Sequence, residues 1–324
     1  MTIEVVKPGL STTVQDLGRP GWYHLGIPMS GAMDRQAMRA ANLLVGNDEG
    51  AATLEITFLG PELKFGEAAL VAVTGAELPP KVDGVVRPTW TAFRVEAGQT
   101  LSFDFLKAGA RAYLAVAGGI DVPVVLGSRS TYPLGALGGH QGRKLEAGDV
   151  LPVGTPEKTV AEGRSLAPEL RRPLPKTAEL RMIPGLYWHR LTAEAGETVL
   201  ADTWKVAPEA DRIGYRFRGG RKMSFVDRDP PFGAGSDPSN VVDCCYPYGS
   251  IQIPGGLEPI VLHRDAVSGG GYFMIGTVIS ADMDLIGQLQ PNTQTRFVPV
   301  DMTAALAARR ERRGALDEIR RALA

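Results

Sequence analysis

The sequence has 324 residues, about two domains' worth, and its 35 Lys+Arg against 36 Asp+Glu leave a formal charge of -1. That balance gives no global field for nucleic acid or an anionic membrane, and 44% hydrophobic content fills a core and argues against disorder. The 39 glycines and 24 prolines, without a collagen-like period, suit many short strands and turns better than a helix bundle.

Residues 1–14 lack the basic-then-apolar pattern of a signal peptide, and no apolar run approaches the roughly 20 residues of a membrane span. The expectation is a cytoplasmic protein. The stretch 13–34 then packs Gln15, Asp16, Arg19, His24, Ser30 and Asp34 between glycines that permit tight backbone geometry. Asp16 and Arg19 can pair and hold a loop, or the set can touch a ligand directly. His24 is either a general base or a hydrogen-bonded loop residue. Asp34 is placed to cap a helix over 35–45.

Strand signals follow at 68–73, 82–86, 93–95, 100–105 and 111–116, separated by Gly, Pro or the pair Asp83-Gly84. At that spacing the economical architecture is an antiparallel sandwich or barrel. The phrases at 95–101 and 145–151 echo one another, with a looser third copy at 289–295, which suits two related barrels. In 126–131, Ser128, Arg129 and Ser130 lie on glycine-loosened turns, so they can bind a carboxylate or phosphate or form a polar barrel rim. No P-loop motif occurs. Prolines 156, 168, 173 and 175 mark a linker, placed at 161–176.

In the second half, 211–216 combines opposite charges around a glycine, read first as a structural salt bridge. His263 and Asp265 are two apart, so they share a face of a continuous strand. The glycines of 268–272 let a ligand approach backbone amides. There is no nucleophile-elbow motif, no HExxH and no metal-ligand set, so no metal is expected. The adjacent Cys244 and Cys245 build neither a long-range disulfide framework nor a zinc site. A short helix is expected over 280–289, and 303–324 reads as a helix with six arginines and one apolar stripe of Leu316, Ile319 and Leu323.

Taken together, TVQDLGRPG, GIPMSGAMD, ANLLVGN, LEIT, VTGAE, RAYLAVAGGIDVP, LGSRST, DRIGYR, GSIQIP and GTVISAD resemble one family. It is the allophanate hydrolase subunit 2 family, also called the biotin-dependent carboxyltransferase or 5-oxoprolinase C-subunit family. The resemblance runs from Thr12 to Val298. It implies an all-β fold with a few helices, two tandem cyclophilin-like β-barrels at 1–160 and 177–300; the C-terminal helix at 301–324 lies outside the resemblance. It further implies a hetero-oligomer with a subunit 1-type protein that resembles a kinase inhibitor. The implied activity is ATP-dependent opening of 5-oxoproline or carboxyl transfer to urea, an amide-processing hydrolase class. ATP or carboxybiotin is then carried by a partner, since no Met-Lys-Met attachment motif is present.

One segment departs from the family pattern. Where the family reads Arg, Gln and Lys, this chain has Ala266, Val267 and Met274. That departure favours a second reading, a non-catalytic regulatory or binding subunit that antagonises a kinase inhibitor.

The expected site is the mouth of the second barrel. There Gln252, His263 and Asp265 converge with Ser268, Gly270 and Tyr272, near Arg212 and Tyr215. Gln252 hydrogen-bonds an amide or ureido group, Tyr272 supplies an aromatic wall or a hydroxyl, and His263 carries protons. The plainer alternative is a packed strand histidine beside a glycine-shaped turn. Ser128, Arg129 and Ser130 are further substrate contacts, and Asp16, Arg19, His24 and Asp34 form a secondary candidate loop.

Overall fold

The computed structural model describes Met1–Ala324, and the chain packs into two units that interleave in sequence. Unit 1 holds Met1–Arg19, Ser30–Leu174 and Gly314–Ala324. Unit 2 holds Pro20–Met29 and Pro175–Arg313.

Unit 1 contains β1 (Thr2–Lys7), β2 (Ser11–Gln15), α1 (Arg35–Leu44), β3 (Thr53–Thr57), β4 (Glu62–Phe65), β5 (Ala69–Glu77) and β6 (Pro80–Val82). It continues with β7 (Val85–Val86), β8 (Ala92–Val95), β9 (Thr100–Phe103), β10 (Ala108–Val116) and β11 (Val150–Pro152). Two antiparallel sheets result, in the orders β11-β1-β4-β9-β6-β7 and β2-β3-β10-β5-β8. Alternation along each strand sends Val14, Leu54, Leu114 and Val73 of one sheet towards Ile3, Val5, Phe65 and Leu101 of the other. Each such side chain stabilises the unit by about 1.5–3 kcal/mol on burial. Asp83 and Gly84, both at positive φ, make the two-residue hairpin between β6 and β7.

The opposite face of the second sheet is covered by α1. Asp34 caps this helix, its side chain accepting from the Ala37 amide at 3.1 Å. Met38, Ala41 and Leu44 pack there with Tyr113 and Ala115, and Ile319 and Leu323 of the C-terminal helix join the same cluster. Residues within 161–176 are tied down as well: Gly163 and Arg164 exchange backbone hydrogen bonds with Ala92, and buried Leu166 donates to the Trp90 carbonyl.

Unit 2 contains β12 (Thr177–Pro184), α2 (Ala193–Ala201), β13 (Trp204–Val206), β14 (Gly214–Arg218), β15 (Asn240–Cys245) and β16 (Ser250–Gln252). It continues with β17 (Ile260–Leu262), β18 (Gly269–Tyr272), β19 (Met274–Val278), α3 (Met283–Ile286), β20 (Gln294–Pro299) and α4 (Met302–Ala322), whose last residues belong to unit 1. Seven strands close into a barrel in the order β12-β19-β16-β17-β14-β13-β20, the ring closing through a parallel β12–β20 pair. Phe217 and Phe297 meet edge to face inside it, 5.5 Å between centroids.

The fold is thus mostly strand with four helices, as the sequence implies, and the closed barrel lies in unit 2. Three local features differ from the sequence reading. The helix expected over 280–289 is a single turn, α3. The helix α2 has no counterpart in the sequence reading; Thr192 caps it, and Gly196, which lowers its intrinsic propensity, is where the Trp188 ring packs. Strands β15 and β18 form a separate two-stranded ribbon outside the barrel. No helix is long and apolar enough to cross a membrane.

Candidate functional site

The two ends of the barrel pairing around β17 decide where the expected site residues go. Gln252 pairs with Ile260, Ile260 with Arg216, and Leu262 with Gly214. Antiparallel partners point the same way, so these residues share the outer face of the barrel. They line a groove of about 620 Å³ edged by Arg216, Arg218, Glu209, Asp211 and Glu258. Tyr215 and Val261, the residues between, turn inward and are buried.

His263 is one residue past β17 and follows the inward set. Its ring is fully buried between Tyr215 and Tyr248, at 6.1 and 5.3 Å between centroids. Nε2 donates to the Met283 carbonyl at 3.0 Å, which fixes the tautomer with the proton on Nε2. Gln252 and His263 therefore lie on opposite faces and do not converge, because strand register, which sequence does not reveal, sets the pairing one residue out of phase. Asp265 does join the buried set. Arg212 grips its carboxylate with both arms of the guanidinium, Nε at 2.7 Å and Nη2 at 3.0 Å. Asp211, meanwhile, accepts from the amides of Ile213 and Gly214 and shapes the turn before β14.

The glycine-rich segment meets the N-terminal loop here. Ser268 Oγ donates to the Tyr23 carbonyl at 3.1 Å, and its own carbonyl accepts from the Tyr246 amide. Tyr246 is buried beside Gln252, and its hydroxyl both donates to the Tyr272 carbonyl and accepts from the Tyr272 amide. A Cβ at Gly270 would lie 3.0 Å from Tyr246 Cε2. The Tyr246 ring thus leaves little room for a side chain at this position. Tyr272 is partly exposed at the end of the ribbon.

Arg264 was missed by sequence reasoning. It is only 4% exposed, and its guanidinium carbon sits 4.4 Å from the Tyr248 ring centroid. Its field reaches the Tyr23 hydroxyl. Burial raises that phenol's pKa, Arg264 counteracts the rise and Asp265 adds to it. A lone arginine between a histidine and an aspartate carries no motif, so no local pattern announced it.

The secondary loop divides between the units. His24 stays with Pro20–Met29 in unit 2, its Nδ1 3.1 Å from the Gly21 carbonyl and its ring stacked with Trp22. Asp16, Arg19 and Asp34 belong to unit 1. There Ser128 Oγ and the Arg129 amide each donate to the Asp16 carboxylate at 2.6 Å, and Ser130 Oγ joins them at 2.5 Å. The anion cradle read from Ser128, Arg129 and Ser130 is thus filled by the chain's own Asp16. The Arg129 side chain pairs with Asp121 and donates to the Val122 carbonyl, and buried Arg19 donates to the Ser130 carbonyl.

A second buried polar set in unit 1 also escaped the sequence reading. Glu55, between Leu54 and Ile56 on β3, points to the α1 side and accepts from the Met33 amide and the Tyr113 hydroxyl, both at 2.8 Å. Tyr113 in turn accepts from the Asp34 amide, and Arg111 lies 3.7 Å from Glu55. Burial and the Glu55 charge hold the Tyr113 phenol well above its ordinary pKa. The alternation of β3 was the available signal, since a glutamate between two core residues must face the other side.

No group of three or more His, Cys, Asp or Glu side chains is placed to hold a metal ion. On β15, Cys244 is buried and Cys245 exposed, and both thiols are free.

The family model for the carboxyltransferase domain, subdomain A and B, matches residues 25–299. The C-subunit of 5-oxoprolinase from Escherichia coli is 34% identical over 98% of this chain and 97% of its own length. Urea amidolyase of Saccharomyces cerevisiae is 36% identical over 92% of this chain, which spans only 16% of that enzyme. The crystal structure of Kluyveromyces lactis urea carboxylase superposes with a TM-score of 0.91 at 34% identity, over 98% of this chain and 29% of that one.

Proposed function

Because this chain belongs to the carboxyltransferase-domain family of subdomains A and B, we propose that it is the C-subunit of an ATP-dependent 5-oxoprolinase. One observation carries the choice. The E. coli 5-oxoprolinase C-subunit is matched over 97% of its own length, so the whole of that relative has a counterpart in this chain, whereas the urea enzymes are matched over 16% and 29% of theirs. In this reading the chain works with a subunit 1-type partner in the cytoplasm, and the ATP, or carboxybiotin in the urea-type chemistry, is carried by that partner.

The buried end of the barrel is the site we assign, where Asp265, Arg212, Ser268 and the Tyr23 loop meet. The close superposition on K. lactis urea carboxylase supports the alternative reading, in which urea takes the place of 5-oxoproline. Coexpression with the subunit 1-type partner tests the reading. One co-eluting complex that turns over 5-oxoproline in the presence of ATP, and not urea, is the expected result. Turnover of urea alone, or two independent peaks at micromolar concentration, contradicts it.

A further inference from the structure

We infer that Arg264 binds a small carboxylate in unit 2, its guanidinium donating to the two oxygens. The inference rests on the reading above, in which the substrate is a carboxylate-bearing amide.

Arg264 is a buried cation without an anion. Its neighbour Asp265 spends both oxygens on Arg212, and no carboxylate pairs with Arg264. Its Nε is enclosed and has no hydrogen-bond partner, and the residue is only 4% exposed. A buried charge is normally paired, so an unpaired one is costly unless a ligand supplies the partner. The Arg264 guanidinium carbon lies over the Tyr248 ring, 4.4 Å from its centroid. The ring covers that side of the group, and the planar fork of guanidinium N–H donors matches a planar two-oxygen anion. Tyr23 belongs to the same unit; burial raises its phenol's pKa, Arg264 counteracts the rise and Asp265 adds to it. Ser268 holds the Tyr23 backbone in place. The same chemistry suits the carboxylate of 5-oxoproline and the CO2-derived carboxylate of bicarbonate.

The full-length protein and its Arg264→Met and Arg264→Lys variants should be titrated calorimetrically with 5-oxoproline, with its neutral carboxamide and with bicarbonate. Wild type is expected to prefer 5-oxoproline over the carboxamide by roughly 10-fold or more, the scale of a charge-assisted hydrogen bond. Arg264→Met should abolish that preference and Arg264→Lys should keep part of it. Arg264→Met should also melt at or above the wild-type temperature, because it removes a buried charge that has no protein partner. A melt several degrees lower would show a structural arginine and overturn the inference, as would carboxylate binding unchanged in Arg264→Met or no carboxylate binding that depends on Arg264. Arg264-dependent binding of bicarbonate without 5-oxoproline keeps the inference and overturns the 5-oxoprolinase reading. Turnover of 5-oxoproline by the complex with no Arg264-dependent binding keeps that reading and overturns the inference.

Discussion

Arg212 closes both arms of its guanidinium on Asp265, 53 residues later in the chain, at 2.7 and 3.0 Å. Both side chains are largely withdrawn from solvent. Removing one partner strands the other as an uncompensated charge. Arg212→Ala or Asp265→Ala should therefore destabilise unit 2 by about 3–5 kcal/mol, and the paired replacement Arg212→Met with Asp265→Leu should recover most of that loss. Denaturant unfolding of the three variants measures it; additive losses in the double variant would contradict the account.

In unit 1 the Asp16 carboxylate gathers Ser128, Ser130 and the Arg129 amide, and it also accepts from the Gly18 amide at 2.7 Å. Asp16→Ala should cost about 3 kcal/mol, since several donors lose a charged acceptor at once. The emptied cradle is the size of a carboxylate, so acetate should raise the melting temperature of Asp16→Ala and leave wild type nearly unmoved. Equal shifts in both proteins would argue against a prefilled anion site.

Asp149 sets an acid limb of stability. The two-armed hydrogen bond from Arg143, both contacts at 2.8 Å, lowers its pKa from the ordinary 3.8 to about 2, helped by the Glu146 amide and the charge of His140. A depressed carboxylate contributes stability above its unfolded pKa and loses it as pH falls through the folded one. The melting temperature should therefore drop between about pH 4 and pH 2, and Asp149→Asn should flatten that part of the profile. An unchanged slope in the variant would refute the assignment.

The ribbon depends on Tyr246, whose hydroxyl serves both the amide and the carbonyl of Tyr272. Tyr246→Phe should speed hydrogen exchange at the Tyr272 amide, and Gly270→Ala should do the same by displacing the ring. Each change should cost about 1 kcal/mol locally. Protection equal to wild type in both would mean that the ribbon is held by something else.

These residues also show what the sequence made legible. Asp34 as a helix cap and Ile319 and Leu323 as an apolar stripe were readable because capping and helical periodicity are local. The relation of Gln252 to His263 was not, because register depends on how β16 and β17 pair, and a shift of one residue moves a side chain to the other face. The bond between Asp16 and Ser128 spans 112 residues and has no local signature. The opposite charges of 211–216 indicate a structural salt bridge but not its partners: Arg212 pairs with Asp265, while the Asp211 carboxylate accepts from the turn amides.

The central claim is that this chain serves a 5-oxoprolinase, and the most direct measurement is glutamate release from 5-oxoproline. The partner proteins should be assayed with ATP, with and without this chain, and with urea as the control acceptor. The account predicts ATP-dependent glutamate formation only when this chain is present, and no consumption of urea. Equal glutamate formation without the chain, or urea consumption in its place, would contradict it.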